Sequence, residues 1–185
     1  MTSISEMLQA ASDAFAKSGA EGLLIGGMAV NYHGYSRNTQ DVDFMVAAAE
    51  LDVIARALRD FGFTNVERRP NVIFFRRPDV DLRLDVLHVD LETFGQLWSS
   101  SIEMAKPSYS FRIPSLEHLL AMKLFALKNS WDRRVAKDLP DVANLAFINN
   151  LDLDEVVRPL CQKFADEQIY SRIADEVKKL KGGFS

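Results

Sequence analysis

The chain has 185 residues, 48% of them hydrophobic and 26% charged, with a formal net charge of −4. That make-up describes an ordinary globular protein with room for one sizeable core, and it excludes a disordered chain. It also excludes an overall basic field for nucleic acid, although Arg68-Arg69 and Arg76-Arg77 make a local basic stretch.

The single cysteine, Cys161, cannot form an internal disulfide, which suits a reducing cytoplasm. The opening MTSISEMLQAASDAFAKSG carries Glu6 and Asp13 inside a periodic pattern and does not read as a signal peptide. No apolar run approaches the ~20 residues of a membrane span. The expectation is a soluble, cytoplasmic protein with no membrane partner.

Ile4, Leu8, Ala11 and Phe15 fall at helical spacing, with Ser3 or Ser5 as a cap and Gly19 as the end. Gly22 to Ile25 reads as a short buried strand running into Gly26-Gly27, and Met28 to His33 as a short helix stopped by Gly34. From Arg37 the pattern alternates. Arg37, Thr39, Asp41 and Asp43 share one face and Val42 and Phe44 the other, which predicts a strand. Ala47 to Phe61 is an amphipathic helix through Leu51, Ile54, Ala55 and Leu58, ending at Gly62.

Val72 to Arg77 and Val80 to Val89 read as two strands of a hairpin turning at Pro78-Asp79. The second places Asp79, Asp81, Arg83 and Asp85 on one face and Val80, Leu82, Leu84 and Val86 on the other. Phe111 to Ile113 is a further short strand, closed by Pro114. Three helices are then predicted, over Leu116 to Lys128, Leu139 to Ile148 and Val156 to Leu180. Pro140 disfavours helix at Leu139 and sets the expected start of the second. The chain thus reads as an α+β core over residues 1–113 and a helical region over 114–185 packed on it.

Asp41 and Asp43 project from one strand face, and two carboxylates that close repel unless a cation compensates. Mg²⁺ is the natural compensator, since it takes a few carboxylates and shares its other sites with water and substrate phosphates. Asp85 completes a three-carboxylate cluster, with Asp81 as its competitor one pleat earlier; the plain alternative is that all four are solvent-facing residues of a half-exposed sheet. Gly26 and Gly27, between strand and helix, either admit a phosphate to the backbone or serve a turn needing positive φ.

Lys123 falls inside the stripe of Leu116, Leu119, Leu120, Leu124 and Leu127, where it either snorkels outward or neutralises something acidic. Arg37 either grips a triphosphate or lies on an edge strand as an ordinary surface arginine. Asp138 and Asp141, near an expected helix start, read first as caps. His33 reads first as a helix-terminal residue and only second as a base, His88 and His118 form no zinc-like constellation with each other or with Cys161, and no P-loop or nucleophile-elbow motif occurs.

The stretch GGMAV–HG–R–T–DVDF resembles the signature of the nucleotidyltransferase superfamily that shares its catalytic core with DNA polymerase beta. That signature is a glycine turn, a helix, D-x-D on the next strand and a third carboxylate on a later, apolar strand. Leu84-Asp85-Val86-Leu87 matches that apolar context better than Asp81 does. Downstream, IPSLEHLLAMKLFAL and R–KDLPDVANL resemble the abortive-infection (AbiEii-type) nucleotidyltransferases, several of which are toxins of toxin–antitoxin pairs. There a helix lysine and a downstream aspartate join the active site.

The resemblance implies a mixed-sheet nucleotidyltransferase core flanked by helices, followed by a C-terminal helical region. It implies transfer of an NMP from an NTP to a hydroxyl acceptor (RNA, a protein or a small molecule) with release of pyrophosphate. Asp41, Asp43 and Asp85 would hold Mg²⁺ or Mn²⁺ and act in catalysis, and Gly26, Gly27, Arg37 and Lys123 would bind the nucleotide. Two rival expectations stand beside it: a toxin neutralised by an antitoxin protein, and a nucleotide-binding module without turnover.

Overall fold

The computed structural model describes residues 4–78 and 81–183. The chain divides into two compact units, Met1–Ala29 with Asn38–Ser115, and Val30–Arg37 with Leu116–Ser185.

The first unit is built on a seven-stranded mixed sheet. Its strands are β1 (Gly22–Ile25), β2 (Asp41–Ala47), β3 (Thr64–Arg69), β4 (Val72–Arg76), β5 (Arg83–Val89), β6 (Ile102–Lys106) and β7 (Tyr109–Ile113). They lie in the order β3-β4-β5-β2-β1-β7-β6. β2 runs parallel to β5 and β1 parallel to β7, and the other neighbours are antiparallel. The helices are α1 (Ile4–Ser18), α2 (Gly26–Tyr32), α3 (Leu51–Asp60) and α4 (Leu91–Ser99); α2 follows β1 directly and continues into the second unit.

The period of two along β2, β4 and β5 sorts the side chains into two faces. Phe44 stands level with Val86 and Ile73, and Val42 with Leu84 and Phe75, all essentially inaccessible to solvent. Phe15 of α1 lies 4.9 Å from the Phe44 ring, which lies 4.9 Å from Phe111 of β7. Each such apolar side chain contributes roughly 1.5–3 kcal/mol on burial, and this face is the core of the unit. The opposite face carries the aspartates.

The predicted hairpin is present, with β4 and β5 antiparallel and Arg76 opposite Arg83. Asp79 and Val80, at its turn, lie outside the described residues, as does Ser3. Helices α1 and α3 end at the expected glycines, Gly19 and Gly62.

The strand expected from Arg37 begins only at Asp41. The Asn31 side chain takes both backbone groups of Arg37, accepting from its N–H at 2.9 Å and donating to its carbonyl at 3.0 Å. Arg37 therefore does not share a strand face with Asp41 and Asp43. The pattern also failed to reveal β3, α4 and β6. Of these α4 carried a legible signal, because Asp90 caps it by accepting from the Thr93 N–H at 2.8 Å.

The second unit is helical, with α5 (Leu116–Asn129), α6 (Trp131–Ile148), a π-helical turn (Leu153–Val157), α7 (Arg158–Phe164) and α8 (Glu167–Gly182). α5 packs on α6 and α7, and α6 on α8. Two expectations are corrected here. α6 begins at Trp131 and runs through Pro140, so Leu139 is no helix start. Proline forfeits one backbone bond, but burial of Val142 and Leu145 on the inner face, beside the ion-paired Asp138 and Asp141, outweighs that local preference. The last predicted helix is broken, because Asp166 accepts from the Ile169 N–H at 2.9 Å and starts α8 afresh. No helix among the described residues is long and apolar enough to cross a membrane.

Candidate active site

Because β2 and β5 are parallel neighbours, Asp43 lies opposite Asp85 and Asp41 opposite Arg83. Adjacent strands run roughly 4.8 Å apart, so the three aspartates occupy one small area of the sheet face away from the core. Asp85 is 5% exposed, and Asp41 and Asp43 are half-buried. Asp81 precedes β5 and is exposed, which leaves Asp85 as the carboxylate in register with the D-x-D strand.

The conformation of Gly26 makes room for Asp43. Gly26 has φ of +62°, and a Cβ built on it would stand 1.9 Å from Asp43 Oδ2. Any side chain there would displace the carboxylate as well as strain the backbone. Of the two sequence readings of this glycine, positive φ is present, and close approach is present too, but to a carboxylate of the same unit. Gly27 is buried in the first turn of α2.

Arg83 supplies the positive charge of this face. Its Nε donates to Asp85 Oδ1 at 2.7 Å and its Nη2 to Asp85 Oδ2 at 2.8 Å, while Nη2 lies 3.6 Å from Asp41 Oδ2. The hydrogen bonds to Asp85 raise the Arg83 pKa against the opposing effect of burial, with the charges of Asp85, Asp41 and Asp43 adding to the rise. The sequence puts Arg83 two residues before Asp85 on the same face, but nothing in the spacing marks it as the aspartate's partner.

Three aspartates offer the hard oxygen donors that Mg²⁺ or Mn²⁺ takes. Among the described residues no three acidic, histidine or cysteine side chains stand in a metal-holding arrangement. A guanidinium already engages both oxygens of Asp85. The donor chemistry suits a divalent ion, but the carboxylates stand around the Arg83 guanidinium and not in a metal-holding arrangement.

Arg37 and Lys123 are brought together in the helical unit. Lys123, 6% exposed, donates to Asp138 Oδ1 at 2.8 Å and to Asp141 Oδ2 at 2.6 Å. Arg37 Nε and Nη2 donate to the two Asp141 oxygens at 2.6 and 2.8 Å, and Arg134 stands 3.7 Å from Asp138. Lys123 therefore neutralises acid and does not snorkel. Asp138 and Asp141 are interior residues of α6, three apart on one face, and not caps. Burial would raise the Asp141 pKa, but the hydrogen bonds and charges of Arg37 and Lys123 outweigh it and the pKa is lowered. The same pairing raises Arg37 against burial.

Residues 7–181 match the family described as nucleotidyl transferase AbiEii toxin, type IV toxin–antitoxin system. A comparison with curated proteins gave no match. Among solved structures, the chain is similar to ANT(2")-Ia in complex with adenylyl-2"-tobramycin, with a TM-score of 0.61 and 12% identity, covering 97% of this chain and 99% of that one. It is also similar to an antigenic nucleotidyltransferase-like protein from Paracoccidioides brasiliensis (TM-score 0.57, 16% identity, 92% and 91% covered). A third is the lincosamide antibiotic adenylyltransferase LnuA bound to lincomycin (TM-score 0.52, 19% identity, 72% and 90% covered). At such identities the likeness shows the shared fold.

Proposed function

The chain belongs to the AbiEii nucleotidyl transferase family, and we propose that it transfers an NMP from an NTP to a hydroxyl acceptor, releasing pyrophosphate. The observation that carries this reading is the placement of Asp43 level with Asp85 on parallel neighbours, with Asp41 one pleat away on the same face. A surface ladder of polar residues does not require a buried carboxylate, and Asp85 is buried.

Asp41, Asp43 and Asp85 would hold Mg²⁺ or Mn²⁺, whose charge when bound would screen the phosphates and favour the ionised acceptor. The acceptor oxygen attacks the α-phosphorus, the new O–P bond forms as the α–β bridge breaks, and pyrophosphate leaves with the bond's electrons. Asp85, the most enclosed of the three, takes the acceptor proton. Gly26 fixes where the Asp43 carboxylate stands, and a carboxylate misplaced by even ~1 Å can cost about 10²-fold in rate.

Gly26, Gly27, Arg37 and Lys123 enter the reading as nucleotide-binding residues on the family resemblance. For Arg37 and Lys123 this role carries a condition, because each already serves a buried aspartate and must share its donors to meet a phosphate. The family description favours a toxin, in which case the acceptor is a cellular molecule and a cognate antitoxin protein exists. The antibiotic adenylyltransferases of the same fold favour a small hydroxylated acceptor.

Incubation with each α-labelled NTP, Mg²⁺ or Mn²⁺, and separate RNA, protein and small-molecule extracts tests the proposal. Label should enter one fraction only. Growth arrest on expression, relieved by Asp41→Asn, is expected if that fraction holds an essential cellular molecule. Absence of label from every fraction with every NTP would leave only the non-catalytic nucleotide-binding reading.

A further inference from the structure

The reaction above gives Arg83 no part, yet its guanidinium is engaged on three sides. Two of its nitrogens meet the two Asp85 oxygens at 2.7 and 2.8 Å, one of them stands 3.6 Å from Asp41, and its Cζ lies 4.8 Å from the Phe74 ring centre. This fork-to-fork pairing is the strong, directional form of an arginine–carboxylate contact. It engages both oxygens of the one aspartate that a metal site on this face would share with Asp43.

A guanidinium and a divalent cation are alternative countercharges for these carboxylates, and each repels the other. The two partners also differ in freedom. Both residues lie on β5, but the Asp85 side chain is 7% exposed and the longer Arg83 side chain 39% exposed, so Arg83 is the one with room to swing away.

We propose that Arg83 is the resting counter-ion of the aspartate cluster, displaced when a divalent cation enters. A triphosphate arriving with that cation offers the released guanidinium a new bidentate anion. Cation uptake is thereby coupled to nucleotide: free metal must evict Arg83 with no compensation, while metal–NTP supplies it. This inference rests on the reading that Asp41, Asp43 and Asp85 hold the metal.

The test is Mn²⁺ binding to the whole protein without nucleotide, followed by the resonance of free Mn²⁺ and by the melting temperature with and without Mn²⁺. Wild type, Arg83→Gln, Arg83→Lys and the double variant Arg83→Gln/Asp43→Asn are compared. Arg83→Gln should bind Mn²⁺ at least about tenfold more tightly than wild type, from loss of a bidentate competitor. Its metal-free form should melt lower than wild type, because Asp85 loses its partner, and Mn²⁺ should restore the difference. Arg83→Lys, which keeps the charge but not the fork, should fall between them and serves if the glutamine variant does not fold. The double variant should lose the gain.

If Arg83→Gln and Arg83→Lys bind Mn²⁺ no more tightly than wild type while the Asp43 change abolishes binding, Arg83 is a fixed structural partner and the inference fails, with the metal reading intact. If no variant binds Mn²⁺ at all, the inference and the metal reading fall together.

Discussion

Gly26 and Asp43 form the tightest coupling in the candidate site. With φ at +62° and the Asp43 oxygen 1.9 Å from where a Cβ would stand, Gly26→Ala must both strain the backbone and push the carboxylate. The expected destabilisation is roughly 1–2 kcal/mol from the left-handed backbone alone, with transfer falling further than stability explains. Thermal melts and turnover measured on the same preparation check this, and full activity in a stable Gly26→Ala protein would contradict it. Asp85 and Asp81 are separated as sharply. Asp85→Asn should lower transfer by orders of magnitude, whereas Asp81→Asn, at an exposed position before the strand, should change it less than about tenfold, ~1.4 kcal/mol of barrier. Both aspartates belong to the same sequence alternation; what distinguishes them is where β5 begins. The pairing of Arg83 with Asp85 went unread although the two stand two residues apart on one face of β5, and only its approach to Asp41 depends on the cross-strand register.

At the scale of elements, legibility followed burial. β2 and β5 announced themselves because one face of each is core, so Val42, Phe44, Leu84 and Val86 alternate with polar residues. β3 and β6 form the two edges of the sheet, and their exposed side chains are under little pressure to alternate. Pro140 misled because tertiary packing overrode a local preference, and Arg37 misled because Asn31 imitates a strand neighbour. The seam between α5 and α6 yields two predictions. Lys123→Met leaves Asp138 and Asp141 buried with fewer partners, so the melt should fall by the equivalent of about 3 kcal/mol, near the low end for a broken buried pair because Arg37 still serves Asp141. Asp141 has a folded pKa below its unfolded value, near ~3.9 for an ordinary aspartate. Its contribution is thus fully present above that value and is lost as pH falls through the folded pKa. Asp141→Asn should remove this acid-sensitive part, giving a flatter dependence of melting temperature on pH below about 4 than wild type shows.

For the whole molecule, membership of the AbiEii nucleotidyl transferase family joins two units that do different physical jobs. The sheet unit presents three carboxylates on a parallel strand pair, and the helical unit buries Asp141 between Arg37 and Lys123, with Asp138 on the same lysine. The helices that follow Leu116 were readable from their spacing, while the grouping of Val30–Arg37 with them depends on contacts made far along the chain. Asp43, with Asp41 and Asp85, is proposed to make the sheet unit a metal-dependent nucleotidyl-transfer site. The most direct measurement is pyrophosphate release by wild type and Asp43→Asn, each confirmed folded by its melt, across all four NTPs with the responsive acceptor fraction, in Mg²⁺ and in chelator. Wild type should release pyrophosphate in Mg²⁺ only, with one NTP preferred, and Asp43→Asn should lose at least about a hundredfold, ~2.7 kcal/mol of barrier. Release that persists in chelator, or an Asp43→Asn protein that turns over at the wild-type rate in saturating Mg²⁺, would contradict this proposal.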